Sequence, residues 1–286
     1  MTETNWIKAA EERRSIRTYR PEPLSEEETR LVEQILEEAP AGPFGQTPRL
    51  ALLPSSTGFL DSGKLGTYGF IRNAPAFIAG SVRQEQGSYI DFGYSLEKII
   101  LVLTALGWGT CWLGGTFQRS QFAELLGLKE KEVIPAVTPL GRGAETIPPR
   151  DRAIKMLTGA AQRKPRRELF FDFAGGKPLP NPMEEPWEGG FHSVHRAPSG
   201  VNRQPWRLLK QDDRVYFFQA RGIMTAPAGE TYTLEEIDMG IAMAHWETAL
   251  ESQGVLGGWE AEPPGKAPEP PDSRWRYLLT WSRSSG

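Results

Sequence analysis

The chain has 286 residues, of which 24% are charged and 39% apolar, with a net charge of −3. This length allows one large domain or two of ordinary size. The charge argues against general nucleic-acid binding, which needs a broad basic face, and no apolar run approaches the roughly 20 residues that cross a bilayer. The N-terminus is unlike a secretory signal, and the lone Cys111 cannot form an internal disulfide. We therefore expect a cytoplasmic protein.

Helices and short strands alternate in the first part of the chain. A first helix is predicted from about Thr4 or Asn5 to about Arg14, and a second follows the capping box of Ser25 and Glu28. A strand is expected at 76–79, a long buried helix at 89–106, a short helix at 120–126 and a strand at 136–140.

The second part repeats this arrangement more briefly. Residues 189–195 lead to a polar loop, strands are expected at 208–209, 215–218 and 277–281, and Thr233 with Glu236 forms a capping box for a helix that stops at Gly254. His192 and His195 could line a substrate pocket, although a pair on a surface helix is the favoured interpretation. They do not predict a metal site, because no third ligand lies at a suitable spacing. The mixture of elements predicts an α+β fold.

A sequence repeat relates the two parts. Residues 197–206 read Ala-Pro-Ser-Gly-Val-Asn-Arg-Gln-Pro-Trp, and residues 39–48, which lie 158 positions earlier, read Ala-Pro-Ala-Gly-Pro-Phe-Gly-Gln-Thr-Pro. Ser199 and Asn202 thus correspond to Ala41 and Phe44. Residues 237–240 likewise echo residues 90–93. We predict two related halves, 1–165 and 166–286, of which only the second keeps the polar side chains of this loop.

A basic segment stands near the N-terminus. Residues 13–17 read Arg-Arg-Ser-Ile-Arg, and arginines with a hydroxyl between them suit an anionic ligand that has several oxygen acceptors. The alternative is a solvated basic helix end that is favoured by the helix dipole.

Together, the two motifs resemble the nitroreductase family, FMN-dependent α+β oxidoreductases with a site at the interface of an intertwined homodimer. In that family an Arg-x-Ser-x-Lys/Arg segment of one subunit meets a Pro-Ser-x-x-Asn-x-Gln-Pro-Trp loop of the other. The matching residues here are Arg13, Ser15 and Arg17 for the first motif and Pro198, Ser199, Asn202, Gln204, Pro205 and Trp206 for the second. The resemblance is to the internally duplicated members, and it implies a fused pseudo-dimer that could act as a monomer.

The resemblance also implies where the cofactor binds. One FMN per chain is expected, because the reciprocal site would need Ala41 and Phe44 to replace Ser and Asn, and because residues 166–170 look like an altered counterpart of residues 13–17. Gly115 matches the glycine near flavin N5, whereas Gly114 stands where many members have Glu. Arg163 resembles a phosphate-binding arginine, with a charged linker as the alternative. The predicted cofactor-binding residues are Arg13, Arg14, Ser15, Arg17, Leu113, Gly114, Gly115, Arg163, Pro198, Ser199, Gly200, Asn202 and Gln204.

The implied activity is hydride transfer from NAD(P)H through FMN to a nitroaromatic, quinone or enone acceptor. The arginines suit the phosphate, and the amide of Asn202, which both donates and accepts hydrogen bonds, suits the uracil-like edge of the flavin. No metal and no membrane or nucleic-acid partner is expected. The alternative function is a protein that binds flavin or a related nucleotide without turnover, because the glutamate before Gly115 is missing. A scaffold that has lost the ligand is a third possibility.

Overall fold

The computed structural model describes residues 6–55, 67, 69–146, 162–174, 176–220, 233–262 and 268–284. Capping residues and apolar side chains define its helices. Ser25 caps its helix, since its Oγ accepts from the Glu28 amide at 3.1 Å. The helices are α1 (Trp6–Glu12), α2 (Glu26–Glu37), α3 (Ser88–Ala105), α4 (Arg119–Leu126), α5 (Trp187–Arg196) and α6 (Leu234–Glu251). None of these described helices combines the length and the apolar character that a membrane crossing requires.

The strands form two sheets that share an order of four strands. They are β1 (Arg49–Pro54), β2 (Ala76–Arg83), β3 (Gly109–Thr110), β4 (Glu132–Val133), β5 (Val137–Gly141), β6 (Phe170–Asp172), β7 (Trp206–Gln211), β8 (Arg214–Ala220), β9 (Gly257–Glu260) and β10 (Trp275–Arg283). The first sheet has the order β1-β2-β5-β3, with β4 beside β2, and the second has the order β6-β7-β8-β10-β9. The β7-β8-β10-β9 part therefore repeats the topology of the first sheet, and both are antiparallel in these pairings.

The helices α3 and α6 form the centre of the core. Both are apolar on nearly every side and are buried along most of their length, as expected for helices enclosed by other elements. They cross at two glycines: a methyl group on Gly93 would overlap the carbonyl oxygen of Ile237, and one on Gly240 would overlap that of Ile90. A continuous cluster of buried side chains joins this pair to both sheets.

Most of the predicted elements are present, with different bounds. The strand predicted at 76–79 continues to Arg83, and the segment 189–195 is part of a full helix, α5. The predicted start of α1 lies outside the described residues. The proposed correspondence of residues 166–170 with residues 13–17 is wrong: β6 pairs in parallel with β7, whereas Ser15 forms a bridge with Thr110 in β3, a strand at the other end of the sheet order.

Candidate functional site

The loop that follows α5 has an unusual backbone. Val201, Asn202 and Gln204 have φ values of 43°, 56° and 48°, in the left-handed region. Such values are uncommon outside glycine and costly for a β-branched residue such as Val201. The loop's own side chains hold this shape: Ser199 Oγ accepts from the Gln204 amide at 2.9 Å, and Gln204 Nε2 donates to Asn202 Oδ1 at 3.1 Å. Gln204 is fully buried.

Residues 162–164 fasten the loop from outside. Asn202 Nδ2 donates to the Gln162 carbonyl at 2.7 Å, and the Lys164 amide donates to Gln204 Oε1 at 3.2 Å. The Arg163 guanidinium donates to the carbonyl of Arg196 at 2.7 Å and to that of Ala197. Arg163 therefore anchors the start of the predicted flavin loop, with both terminal nitrogens bonded to backbone.

A buried aspartate supports each copy of the loop. Asp238 accepts from the Gly200 amide at 3.0 and 3.1 Å, and Asp91 accepts from the amides of Phe44 and Gln46 at 2.8 Å each. Burial raises the pKa of Asp238 to about 8, with the nearby Glu235 carboxylate acting in the same direction, and raises that of Asp91 to about 6. The two copies thus share a backbone-to-carboxyl contact although their polar side chains differ.

The basic segment lies beside β3 and close to α5. The Ile16 amide donates to the Thr110 carbonyl at 2.8 Å, and Arg196 Nη2 donates to the Glu11 carbonyl at 3.4 Å. Arg17 is half-buried, whereas Arg14 and Ser15 are exposed. Within the part of the chain that the structure describes, none of these three side chains has a hydrogen-bond partner.

The segment predicted to face flavin N5 approaches the same region. Leu113 is buried and pairs with Val137, while Gly115 is exposed with open space where a Cβ would stand. A Cβ on Gly114 would lie 3.3 Å from the side chain of Leu234 in α6. Leu234 precedes Asp238 by one helical turn, and the Asp238 carboxyl accepts from the Gly200 amide. The first turns of α6 therefore bring residues 113–115 towards residues 198–204.

Arg13 is the predicted site residue with the most distinctive environment. Its side chain is 7% exposed, and its Nε lies 3.9 Å from Glu97 Oε1, beyond hydrogen-bond distance. Nε and Nη1 are buried without a hydrogen-bond partner. Burial lowers the pKa of Arg13, partly opposed by Glu97, and burial with the charges of Arg13 and Arg196 lowers the pKa of Arg163 to about 10. Open buried donors amid several cations fit an anionic group.

Sequence reasoning missed the polar groups beneath Arg13. Glu97 of α3 and His245 of α6 are completely buried, and their side chains are hydrogen-bonded to each other. The available signal was a charged residue and a histidine within two nearly apolar helices, since such groups are rarely buried without a partner. Among the described residues, no group of three or more His, Cys, Asp or Glu side chains is arranged to hold a metal ion.

The sequence matches a protein-family model over residues 5–250, and the family is described as "Putative TM nitroreductase". The chain belongs to this nitroreductase family. No curated protein matches it in sequence.

One solved structure shows the nitroreductase fold over 99% of this chain. A crystal structure of a "putative nitroreductase" from Thermotoga maritima is 17% identical, covers 99% of this chain and 94% of its own, and has a TM-score of 0.58. A nitroreductase family protein from Clostridium difficile is 21% identical over 57% of this chain and 95% of its own, with a TM-score of 0.44. A Bacteroides fragilis nitroreductase with bound FMN is 20% identical over 50% of this chain and 91% of its own, with a TM-score of 0.40. The α+β, nitroreductase-like fold expected from the sequence is confirmed by the first of these.

Proposed function

We propose that this chain is an FMN-dependent oxidoreductase with one flavin between two halves, 1–165 and 166–286, that form a fused pseudo-dimer. Three features support the duplication: the shared strand order of the two sheets, the reciprocal contacts of Gly93 and Gly240, and the equivalent roles of Asp91 and Asp238. Each relates an element of the first half to one of the second.

The observation that carries the proposal is the convergence of both motifs on Arg13. Its two buried nitrogens without partners fit an anionic cofactor, and its charge adds to those of Arg163 and Arg196 beside the intact loop. Arg13 and Arg17 would neutralise the FMN phosphate, Asn202 would meet the polar edge of the ring, and the backbone of residues 113–115 would face its centre. Arg14, Ser15, Pro198, Ser199, Gly200 and Gln204 complete the proposed site.

Bound FMN would supply two-electron hydride chemistry. The chain's contribution is to bind and orient: the arginines fix the phosphate, and the loop 198–204 keeps its polar groups in place through its own hydrogen bonds. A reduced nicotinamide is the proposed donor, and a nitroaromatic, quinone or conjugated enone is the proposed acceptor.

The second site of a pseudo-dimer would be closed. In the altered copy, Phe44 packs against Gly87 at the start of α3, and Pro43 stands where the intact loop has Val201. A proline cannot adopt the positive φ of Val201. We therefore propose one flavin per chain.

The test is purification followed by titration of the apoprotein with FMN. A yellow protein that binds one equivalent supports the proposal, and a colourless protein that binds no FMN overturns it. Two equivalents would contradict the single site.

A flavin-binding protein without turnover is the second candidate, and Gly114 is the observation that favours it. A glutamate there would have to displace the Leu234 side chain, which lies 3.3 Å from the Cβ position. Stopped-flow mixing with NADH and with NADPH separates the two functions. Rapid bleaching of the flavin absorbance indicates the oxidoreductase, whereas flavin that stays oxidised with both donors indicates the binding protein.

A further inference from the structure

A buried polar cluster lies beneath the basic segment, where α3, α5 and α6 meet. His245 Nε2 is 3.0 Å from Glu97 Oε1, and His245 Nδ1 is 3.1 Å from Ser193 Oγ. A neutral imidazole satisfies both contacts by donating to Glu97 and accepting from the serine hydroxyl. Trp112 Nε1 donates to the other oxygen, Glu97 Oε2, at 2.6 Å. Both oxygens of the carboxylate are thus held by groups other than Arg13.

This arrangement gives Arg13 a counter-charge without using its donors. The 3.9 Å between Arg13 Nε and Glu97 Oε1 is short enough for strong attraction in a buried setting but too long for a hydrogen bond. Nε and Nη1 stay without partners. A buried cation without a counter-ion is costly, and the charges of Arg196, Arg17 and Arg163 add to the repulsion. Glu97 therefore allows Arg13 to remain buried, with open donors, before a ligand arrives.

The two sides of the crossing between α3 and α6 carry different polar clusters. Gly240 lies 147 positions after Gly93, and each contacts the other helix. The same step leads from Glu97 to Ala244, which has no polar side chain. The carboxylate on that side is instead Glu247, which accepts from Trp259 Nε1 at 3.2 Å and lies 3.5 Å from Lys98, so it pairs with a lysine where Glu97 pairs with a histidine.

We propose that Glu97, held by His245 and Trp112, is a positioning residue that keeps Arg13 ready to bind the phosphate of the flavin nucleotide. This inference rests on the proposed function, because it needs FMN at Arg13. It assigns a purpose to a buried carboxylate that touches neither the loop nor the solvent.

The test compares FMN with riboflavin, which lacks the phosphate, by fluorescence titration of the full-length apoprotein. Glu97→Gln removes the charge of this side chain. The glutamine amide can still accept from Trp112 Nε1, and it can donate to His245 Nε2 when the imidazole proton is on Nδ1. We expect FMN affinity to fall about tenfold or more. The direction is informative, because the removal of a negative charge near an anionic ligand would by itself raise the affinity. Riboflavin affinity should change little, whereas a general loosening of the fold would weaken both ligands equally.

A double-mutant cycle tests whether Glu97 acts through Arg13. Arg13→Ala should also weaken FMN selectively, and Glu97→Gln should add nothing in the Arg13→Ala background. Trp112→Phe is a second variant: it frees Glu97 Oε2 to rotate towards Arg13 and close its donors, so it should also lower FMN affinity selectively. Glu251→Gln is the control, because that carboxylate lies on α6 and pairs with Lys98 at 3.3 Å.

The outcomes separate this inference from the proposed function. Unchanged or tighter FMN binding by Glu97→Gln, equal weakening of riboflavin, or additive effects in the cycle would overturn the inference while the wild-type chain still binds FMN. A wild-type chain that binds neither flavin overturns the proposed function, and the inference with it.

Discussion

At the scale of single residues, Val201 separates the two copies of the loop. Its φ of 43° is one of three positive values in residues 201–204, whereas the altered copy has Pro43 at this position and a positive φ only at Gly45. Proline fixes φ near −65°. Residues 39–48 therefore lack the backbone conformation of the loop 198–204 as well as its serine and asparagine.

The variant Val201→Pro should convert the intact loop to the shape of the altered one. We expect at least about tenfold weaker FMN binding with a preserved fold, measured by titration and by far-ultraviolet circular dichroism. Val201→Gly is the matched control: it should keep FMN binding and gain about 1 kcal/mol of stability, since glycine adopts positive φ without strain. Wild-type affinity in Val201→Pro would show that the loop's backbone is irrelevant to the site.

Asn202 and Phe44 occupy equivalent positions and should respond differently to truncation. Asn202→Ala removes the contacts with Gln204 and with the Gln162 carbonyl, so flavin retention should fall. Phe44→Ala removes a partly buried ring that packs on Gly87, and it should cost about 1–3 kcal/mol of stability with little change in flavin content. Flavin content after gel filtration and thermal unfolding measure the two effects. Equal loss of flavin in both variants would contradict a single site.

At the scale of elements, the crossing of α3 and α6 depends on two glycines. Gly240→Ala should destabilise the protein by about 3 kcal/mol or more, because the methyl group would overlap the Ile90 carbonyl and backbone atoms cannot move aside cheaply. Gly93→Ala should behave alike through Ile237. Gly258→Ala in β9 is the control, since nothing lies within 4 Å of its Cβ position. Chemical denaturation measures all three, and a stability of Gly240→Ala equal to that of the control would refute the close crossing.

The elements also show which features the sequence could predict. Capping boxes and apolar spacing located α2, α3 and α6, because those signals are local. The loop 198–204 was recognisable from its polar residues. The partnership of Glu97 with His245 was not, since the two lie 148 positions apart and no local pattern links a residue of α3 to one of α6. The mistaken counterpart at 166–170 has the same cause: a short arginine-rich similarity carries no information about which strand the segment pairs with.

At the scale of the whole molecule, buried carboxyls make stability depend on pH. Burial raises the pKa of Asp238 to about 8, whereas an unfolded aspartate titrates near 3.8. The folded chain therefore keeps a proton that the unfolded chain releases, and the free energy of unfolding falls as the pH rises through 8. Asp91, with a pKa of about 6, contributes the same trend at lower pH. His245 acts oppositely: burial lowers its pKa, so stability is lost as the pH falls below about 6.5.

The interval between about pH 6.5 and 8 isolates the contribution of Asp238 from those of Asp91 and His245. Asp238→Asn keeps an acceptor for the Gly200 amide but cannot ionise, so its stability relative to wild type should increase by about 2 kcal/mol across this interval. Urea denaturation at several pH values measures the difference. The exposed Asp213→Asn is the control and should leave the slope unchanged. A wild-type unfolding free energy that stays constant across the interval would contradict the raised pKa.

The approach of α1 to α5 has a consequence for how the site assembles. Arg196 of α5 donates to the Glu11 carbonyl of α1, so in the proposed pseudo-dimer one polypeptide joins segments that separate subunits would otherwise supply. Their meeting is a unimolecular event with no entropy of association to overcome. Dilution to nanomolar protein should therefore leave the site intact, whereas a site shared by two separate chains would come apart as mass action requires.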